Sequence, residues 1–359
     1  MERSHSDPSH MASEAPTLRL GDSGSAVADV QARLVALGYP ITDERGTFGE
    51  ETESAVKVFQ IRRGLSPDGV VEQHTWRELV EAGWTFGTRT LYLRRPPMRG
   101  DDVRDLQTRL NALGFDAGKE DGIFGFETHD AVREFQNNVG LPADGYAGHE
   151  TFATLDRLRR RIGPGSKAAL RERIAREEGG GLEGRCVFLD PGHGGADTGE
   201  LTGIGIPESY VVYRVAEAAA ATLGRIGARP LLSRAIQQAP ETERRCEFAN
   251  VNAADVAICL HYACRPEPGP TVAFWSIEKT QSRMGRELAV AIADALKPRL
   301  GRAQILGRNL PFLRQTRMPA VVVDLAGPAA EPLLAQDLYL AGLGDAIARG
   351  VERYFAVAG

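Results

Sequence analysis

The chain has 359 residues, 42% of them hydrophobic and 25% charged, with 43 Lys and Arg against 48 Asp and Glu for a formal net charge of −5. That length accommodates three domains, while a slightly acidic balance argues against nucleic acid as a partner. No apolar stretch is long enough to span a bilayer, so no membrane span is expected.

Met1 to about Ser13 is polar and contains Ser9-His10-Met11-Ala12-Ser13, which reads as a remnant added to the protein; it is set aside from fold reasoning. Localisation stays open on these grounds. The cytoplasm is expected if the chain starts natively near this point, and the cell wall if a signal peptide has been removed.

A tandem repeat follows. Val30-Gln31, Leu34, Leu37-Gly38, Phe48-Gly49, Phe59-Gln60, Gly64-Leu65, Asp68-Gly69 and Thr75 recur as Leu106-Gln107, Leu110, Leu113-Gly114, Phe124-Gly125, Phe135-Gln136, Gly140-Leu141, Asp144-Gly145 and Thr151. The offset is 76 throughout (Gln31 to Gln107, Gln60 to Gln136), which means two copies of one small domain, placed at 14–84 and 85–160. Within each copy apolar residues recur at helical spacing, as in Val27, Val30, Leu34 and Leu37, and Asp-Gly pairs mark turns, so each copy reads as an all-α three-helix unit. Phe59, Phe135, Leu65 and Leu141 are expected in the cores rather than at a ligand.

Residues 161–183 read as a linker. Arginines cluster from Arg157 to Arg161, Gly163-Pro164-Gly165 breaks the chain, a charged helical stretch covers about Lys167 to Glu178, and Gly179-Gly180-Gly181 ends the segment.

From 184 to 359 strand and helix patterns alternate. Strands are expected near 186–190, 229–233, 256–261, 271–275 and 320–325, and helices near 207–224, 241–253, 281–298 and 332–354. Such alternation predicts an α/β domain with a central, mostly parallel sheet flanked by helices. The four cysteines, Cys186, Cys246, Cys259 and Cys264, all fall here; with no C-x-x-C pair they are expected as buried free thiols.

One imidazole stands out. His193 lies in Leu189-Asp190-Pro191-Gly192-His193-Gly194-Gly195, directly after the apolar run Cys186–Leu189, in a backbone-permissive loop at a strand's carboxyl end. Glu208 opens a helical segment after the Gly/Pro-broken stretch 203–207, and His261 ends the apolar run that starts at Val256. The separations, 15 residues from 193 to 208 and 53 from 208 to 261, match no local zinc-finger spacing, so any shared site must be assembled by the fold. Two imidazoles and a carboxylate form a donor set suited to Zn2+, and three protein ligands leave a position open, as in catalytic sites.

The landmarks Asp190-Pro191-Gly192-His193-Gly194-Gly195, Pro207-Glu208, Leu232-Ser233-Arg234, Ala249-Asn250, Ala254-Asp255, Leu260-His261 and Met318-Pro319 through Asp324 together resemble the zinc-dependent N-acetylmuramoyl-L-alanine amidases. The resemblance covers roughly 184–357 and implies that His193, Glu208 and His261 hold zinc. It further implies cleavage of the amide joining N-acetylmuramic acid to L-alanine, in peptidoglycan or a muropeptide. At the last landmark the family places a catalytic glutamate and a Gly-Phe turn, whereas this chain has Asp324 followed by Leu325-Ala326-Gly327-Pro328. Asp324 is therefore the implied catalytic residue, one methylene short of the family's base. Glu331 lies nearby, but it is expected as a first-turn acid of the helix beginning near 332.

The two repeats resemble peptidoglycan-binding domains, whose presence would tether an enzyme to a polymeric substrate. Two such repeats before this domain also resemble the actinobacterial CwlM-type proteins. That resemblance implies an alternative, a catalytically impaired, metal-retaining regulator whose partner is a peptidoglycan-synthesis enzyme. The complete His193, Glu208, His261 set makes the amidase the preferred expectation.

Overall fold

The structure is a computed structural model that describes residues 16–159, 181–262, 269–277, 280–325 and 331–356. The amino-terminal residues to Ser13, the charged stretch 167–178, Cys264 and the turn 326–328 lie outside the described residues. The chain forms two compact units, Met1–Ala168 and Ala169–Gly359. Among the described residues no helix is long and apolar enough to cross a membrane.

Each copy of the repeat forms three helices: α1 (Ser25–Ala36), α2 (Glu50–Arg63) and α3 (Gln73–Ala82), then α4 (Asp101–Leu113), α5 (Phe126–Val139) and α6 (His149–Arg159). The sequence explains the boundaries. Helix α2 opens with Glu50, Glu51 and Glu53, closes with Arg62 and Arg63, and stops at Gly64 in the left-handed region, so both its ends complement the helix dipole.

The cores match at the same offset: Val27, Val30, Leu34, Phe48, Val56, Phe59 and Leu79 are buried, as are Val103, Leu106, Leu110, Phe124, Val132, Phe135 and Leu155. Each fully buried aliphatic or Phe side chain contributes roughly 1.5–3 kcal/mol, set against the conformational entropy lost in ordering so small a unit. Leu65 is buried as expected, while Leu141 is only half-buried.

The second unit is a mixed sheet between two helical layers. Its strands are β1 (Cys186–Pro191), β2 (Arg229–Leu232), β3 (Val256–His261), β4 (Thr271–Ile277), β5 (Thr280–Gln281), β6 (Gln304–Arg308) and β7 (Ala320–Asp324). The order is β2-β1-β3-β7-β4-β5, with β6 also on β4. Strands β2, β1, β3 and β7 run parallel, whereas β4 runs antiparallel to β7 and β5 and parallel to β6.

Helices α7 (Glu208–Arg225), α9 (Arg283–Leu300) and α11 (Asp337–Ala356) pack through Val211, Val215, Leu288, Ile292, Leu343 and Ile347 on the face carrying Val187, Leu189, Ile258 and Val321. Helices α8 (Thr242–Val251) and α10 (Pro311–Gln315) cover the other face through Cys246, Ala249, Phe312 and Leu313. Strands buried on both faces read as continuous apolar runs, which is why β1 and β3 are legible in the sequence.

The helix expected to start near 332 begins later. Glu331–Leu333 form a short 3-10 turn and α11 starts at Asp337, so Asp337 rather than Glu331 is its first-turn acid.

Candidate metal centre

The sheet places the candidate ligands at a switch point. From β1 the chain crosses through α7 to β2 on one side, then returns to β3 on the other, so the carboxyl ends of β1 and β3 face a crevice where ligands gather in such sheets. His193 lies two residues beyond β1, His261 is the last residue of β3, and Asp324, the last of β7, is the ladder partner of His261.

Glu208 is the first residue of α7, at the positive end of the helix dipole, where an ionised acid is favoured. The ligand atoms of His193, Glu208 and His261 lie within 4.8 Å of one another although the residues are far apart in sequence. Asp324 is not in this cluster; it is buried at the adjoining strand end.

Glu208 is the hub. Its Oε2 lies 3.2 Å from His193 Nε2 and its Oε1 lies 3.0 Å from His261 Nδ1. The backbone N–H of Tyr262 donates to Oε1 at 2.9 Å and that of Glu200 to Oε2 at 3.2 Å. The Glu208 side chain is 3% exposed, against 27% for His193 and 35% for His261, so a buried carboxylate is flanked by two imidazoles open to an approaching molecule.

Burial works against ionisation of Glu208. Hydrogen bonds from His193, His261 and the Tyr262 amide overcome it and hold the carboxyl well below its usual range. The Glu208 contact in turn pushes His193 up to about 9, with burial opposing and Asp197 adding to the rise.

The loop that carries His193 is conformationally demanding. His193 adopts φ 56°, a left-handed conformation that costs a non-glycine residue on the order of 1 kcal/mol. At Gly199, φ is +65° and a Cβ would sit 2.7 Å from Glu208 Oε2 and 2.8 Å from His193 Cδ2, so only glycine lets the two side chains meet.

Asp197 is a residue that the sequence reasoning left within the loop without a role. Its Oδ2 accepts from His193 Nδ1 at 2.9 Å, which leaves Nε2 directed at the cluster. The signal was present: a carboxylate four residues after a ligand-type histidine is the pattern of an imidazole-orienting partner.

Other landmarks of the motif turn out to brace the edge. Asp190 accepts from Ser233 Oγ and from Arg245, while Asp255 accepts from the Cys186 amide at 2.7 Å and from Arg185 at 2.8 Å. The Asn250 side chain donates to Gln315 O and accepts from the backbone N–H of Arg317, both at 2.9 Å. Cys186, Cys246 and Cys259 are buried free thiols, and burial pushes Cys186 and Cys259 above the usual thiol range.

Comparison with known proteins agrees with this architecture. Residues 187–353 match the N-acetylmuramoyl-L-alanine amidase family, and residues 23–79 and 99–155 each match the peptidoglycan binding domain. The amidase CwlM of Mycobacterium tuberculosis is 36% identical over 96% of this chain and 90% of its own length. The amidase CwlL of Bacillus licheniformis is 36% identical over 39% of this chain and 45% of its own. Among solved structures, the amidase AmiC2 of Nostoc punctiforme is 26% identical, spanning 47% of this chain and 96% of its own, with a TM-score of 0.42. The chain belongs to the N-acetylmuramoyl-L-alanine amidase family, with two peptidoglycan-binding-type repeats ahead of the amidase domain.

Proposed function

We propose that the protein hydrolyses the amide bond between N-acetylmuramic acid and L-alanine in a zinc-dependent reaction, with His193, Glu208 and His261 as the metal ligands. The carrying observation is the convergence of those three donors, from three separate elements, around one nearly inaccessible carboxylate. The set fits zinc in chemistry as well as in number: two imidazole nitrogens and a carboxylate oxygen, with Asp197 on the distal nitrogen of His193. A zinc ion supplies Lewis-acid polarisation of the scissile carbonyl and of the attacking water.

The chain's own residues do the rest. Asp324 takes the water's proton on its carboxylate and hands it to the departing L-alanine nitrogen. Its backbone is fixed, because β7 pairs it with His261 and Leu325 N donates to His261 O at 2.8 Å. The half-open imidazoles leave the substrate's side of the cluster accessible. Two binding-type repeats suit a polymeric wall substrate, which they would hold at high local concentration.

Aspartate at position 324 favours a second reading, a catalytically impaired, metal-retaining protein that regulates peptidoglycan-precursor synthesis through one of its enzymes. Misplacing a proton acceptor by about 1 Å can cost on the order of a hundredfold in rate.

One experiment separates the two. Release of L-alanine-linked peptide is measured from purified peptidoglycan and from a soluble muropeptide, with and without zinc, for the native chain, His193→Ala and Asp324→Glu. Zinc-dependent release by the native chain that disappears in His193→Ala supports the amidase. Release by Asp324→Glu alone supports the regulator, and release by none of the zinc-loaded chains on either substrate refutes the amidase.

A further inference from the structure

Arg234 is buried, with 3% of its surface exposed, yet the hydrogen bonds of its guanidinium go to backbone carbonyls. Nε donates to Pro191 O at 2.8 Å; one terminal nitrogen donates to Ala235 O at 3.3 Å and Ile236 O at 3.2 Å; the other donates to Gly192 O at 2.9 Å and Ser209 O at 3.3 Å. Those five contacts use all five N–H donors of an arginine. Burying a cation is costly, and spending its full donor set on neutral carbonyls is an expensive way to brace a fold. The placement of the acceptors gives the reason. Gly192 immediately precedes His193 and Ser209 immediately follows Glu208, so a single nitrogen bridges the backbone neighbours of two residues assigned to the metal.

The loop is built to receive this side chain. At Gly194, φ is +130° and a Cβ would lie 2.8 Å from Arg234 Cζ and 2.3 Å from Gln238 O, so a side chain there would collide with the guanidinium. Arg245 completes the grip, donating to Pro191 O at 3.3 Å and to His193 O at 3.2 Å, while Asp190 neutralises it at 3.3 Å. Carbonyls 191, 192 and 193 are thus each held by a buried arginine. Asp197 orients the His193 ring, while the two arginines hold the backbone of a loop that contains a left-handed histidine and three positive-φ glycines, 194, 195 and 199.

We propose that Arg234 is a positioning residue of the metal centre: by bridging Gly192 O and Ser209 O, its guanidinium fixes the separation of the His193 loop from the first turn of α7. The proposal rests on the metal assignment made above. Lysine at this position keeps the charge but offers three donors from one atom, which cannot span both carbonyls and the Pro191 acceptor in one plane.

The full-length chain is stripped with a chelator, and its zinc affinity is measured by competition with a chromogenic chelator, alongside the visible spectrum of the cobalt-substituted protein. Arg234→Met and Arg234→Lys are compared with Arg185→Met, which removes an arginine from the opposite, amino-terminal end of β1, and with His193→Ala. Arg234→Met is expected to bind zinc about ten- to a hundredfold more weakly. Arg234→Lys should fall between it and the native chain with an altered cobalt spectrum, and Arg185→Met should keep native affinity whatever its unfolding midpoint. Native zinc affinity in both Arg234 variants, an equal loss in Arg185→Met, or failure of both Arg234 variants to fold would assign Arg234 to the fold and overturn the proposal. Equal zinc affinity of the native and His193→Ala chains would instead overturn the metal assignment beneath it.

Discussion

The two units bury polar side chains for different ends, and the contrast separates bracing from chemistry. In the repeats the four buried glutamines come in pairs that do identical work. Gln31 donates to Thr47 O and accepts from Gly46 N; Gln107 donates to Ile123 O and accepts from Gly122 N. Gln60 joins Asp68, Val70 O and Gly69 N, and Gln136 joins Asp144, Tyr146 O and Gly145 N. Each partner lies within 21 residues and the pattern recurs at an offset of 76, so these glutamines hold loops against helices. In the α/β unit the buried polar residues occur once. Asp190, Glu208, Arg234 and Arg245 gather at one sheet edge, and their partners come from across the sequence. The glutamines recur with the fold of the repeat, whereas Glu208 is buried once and is the hub of the candidate site.

The sharpest way to break this contrast is Glu208→Gln. It keeps the shape of the hub but removes the charge both imidazoles face, so high-affinity zinc uptake should be lost in a chelator competition while hydrogen exchange in the repeats stays unchanged. A variant that still binds zinc tightly would place Glu208 among the braces. Next in size is Gln136→Ala, which leaves the Gly145 amide without its side-chain acceptor. Loss of buried hydrogen bonds of this kind costs roughly 1–3 kcal/mol, to be read as faster hydrogen exchange in α5 and α6 with native zinc affinity. Asp197→Asn should weaken zinc binding by about ten- to a hundredfold through a less well oriented His193; an unaffected dissociation constant would remove Asp197 from the site.

The smallest effect is in pH. With zinc stripped by a chelator, His193 titrates at about 9, above its ordinary 6.5, so its contribution to stability is complete below 6.5 and is lost as pH rises through 9. Glu208 is shifted the other way, so its contribution is present above its ordinary 4.5 and is lost only as acid overcomes the histidine contacts. The stripped α/β unit should therefore unfold at lower temperature at pH 9 than at pH 6.5. A ligating imidazole must be deprotonated, so apparent zinc affinity should rise over the same interval. A flat affinity between pH 6.5 and 9 would contradict the assignment of His193.

Much of this was legible before any fold was built. His193, Glu208 and His261 were identified by residue type and motif order, and the structure brings their ligand atoms together. The long apolar strands and the three helices per repeat were legible because burial on a face imposes a period. What escaped lacks such a period. Strand β6 (Gln-Ile-Leu-Gly-Arg) lies at an edge, half exposed, and α10 is five residues long, so neither leaves a pattern. The reversal of β4 is invisible because an apolar run carries no direction. Arg234 and Arg245 were invisible as partners of the His193 loop because what they grip is backbone, and a carbonyl has no letter in the sequence.

The ladder that pairs His261 with Asp324 sets how this site can change over evolutionary time. Neighbouring strands are spaced about 4.8 Å apart and do not yield to one side chain, so residue 324 can gain or lose reach only through its own bonds. Aspartate and glutamate codons differ by a single base. A lineage can therefore extend or withdraw the proposed proton acceptor in one mutational step while the candidate metal ligands, the sheet and the peptidoglycan-binding-type repeats stay as they are. Such a hinge, genetic rather than mechanical, would let one scaffold pass between the proposed hydrolase and the proposed regulator.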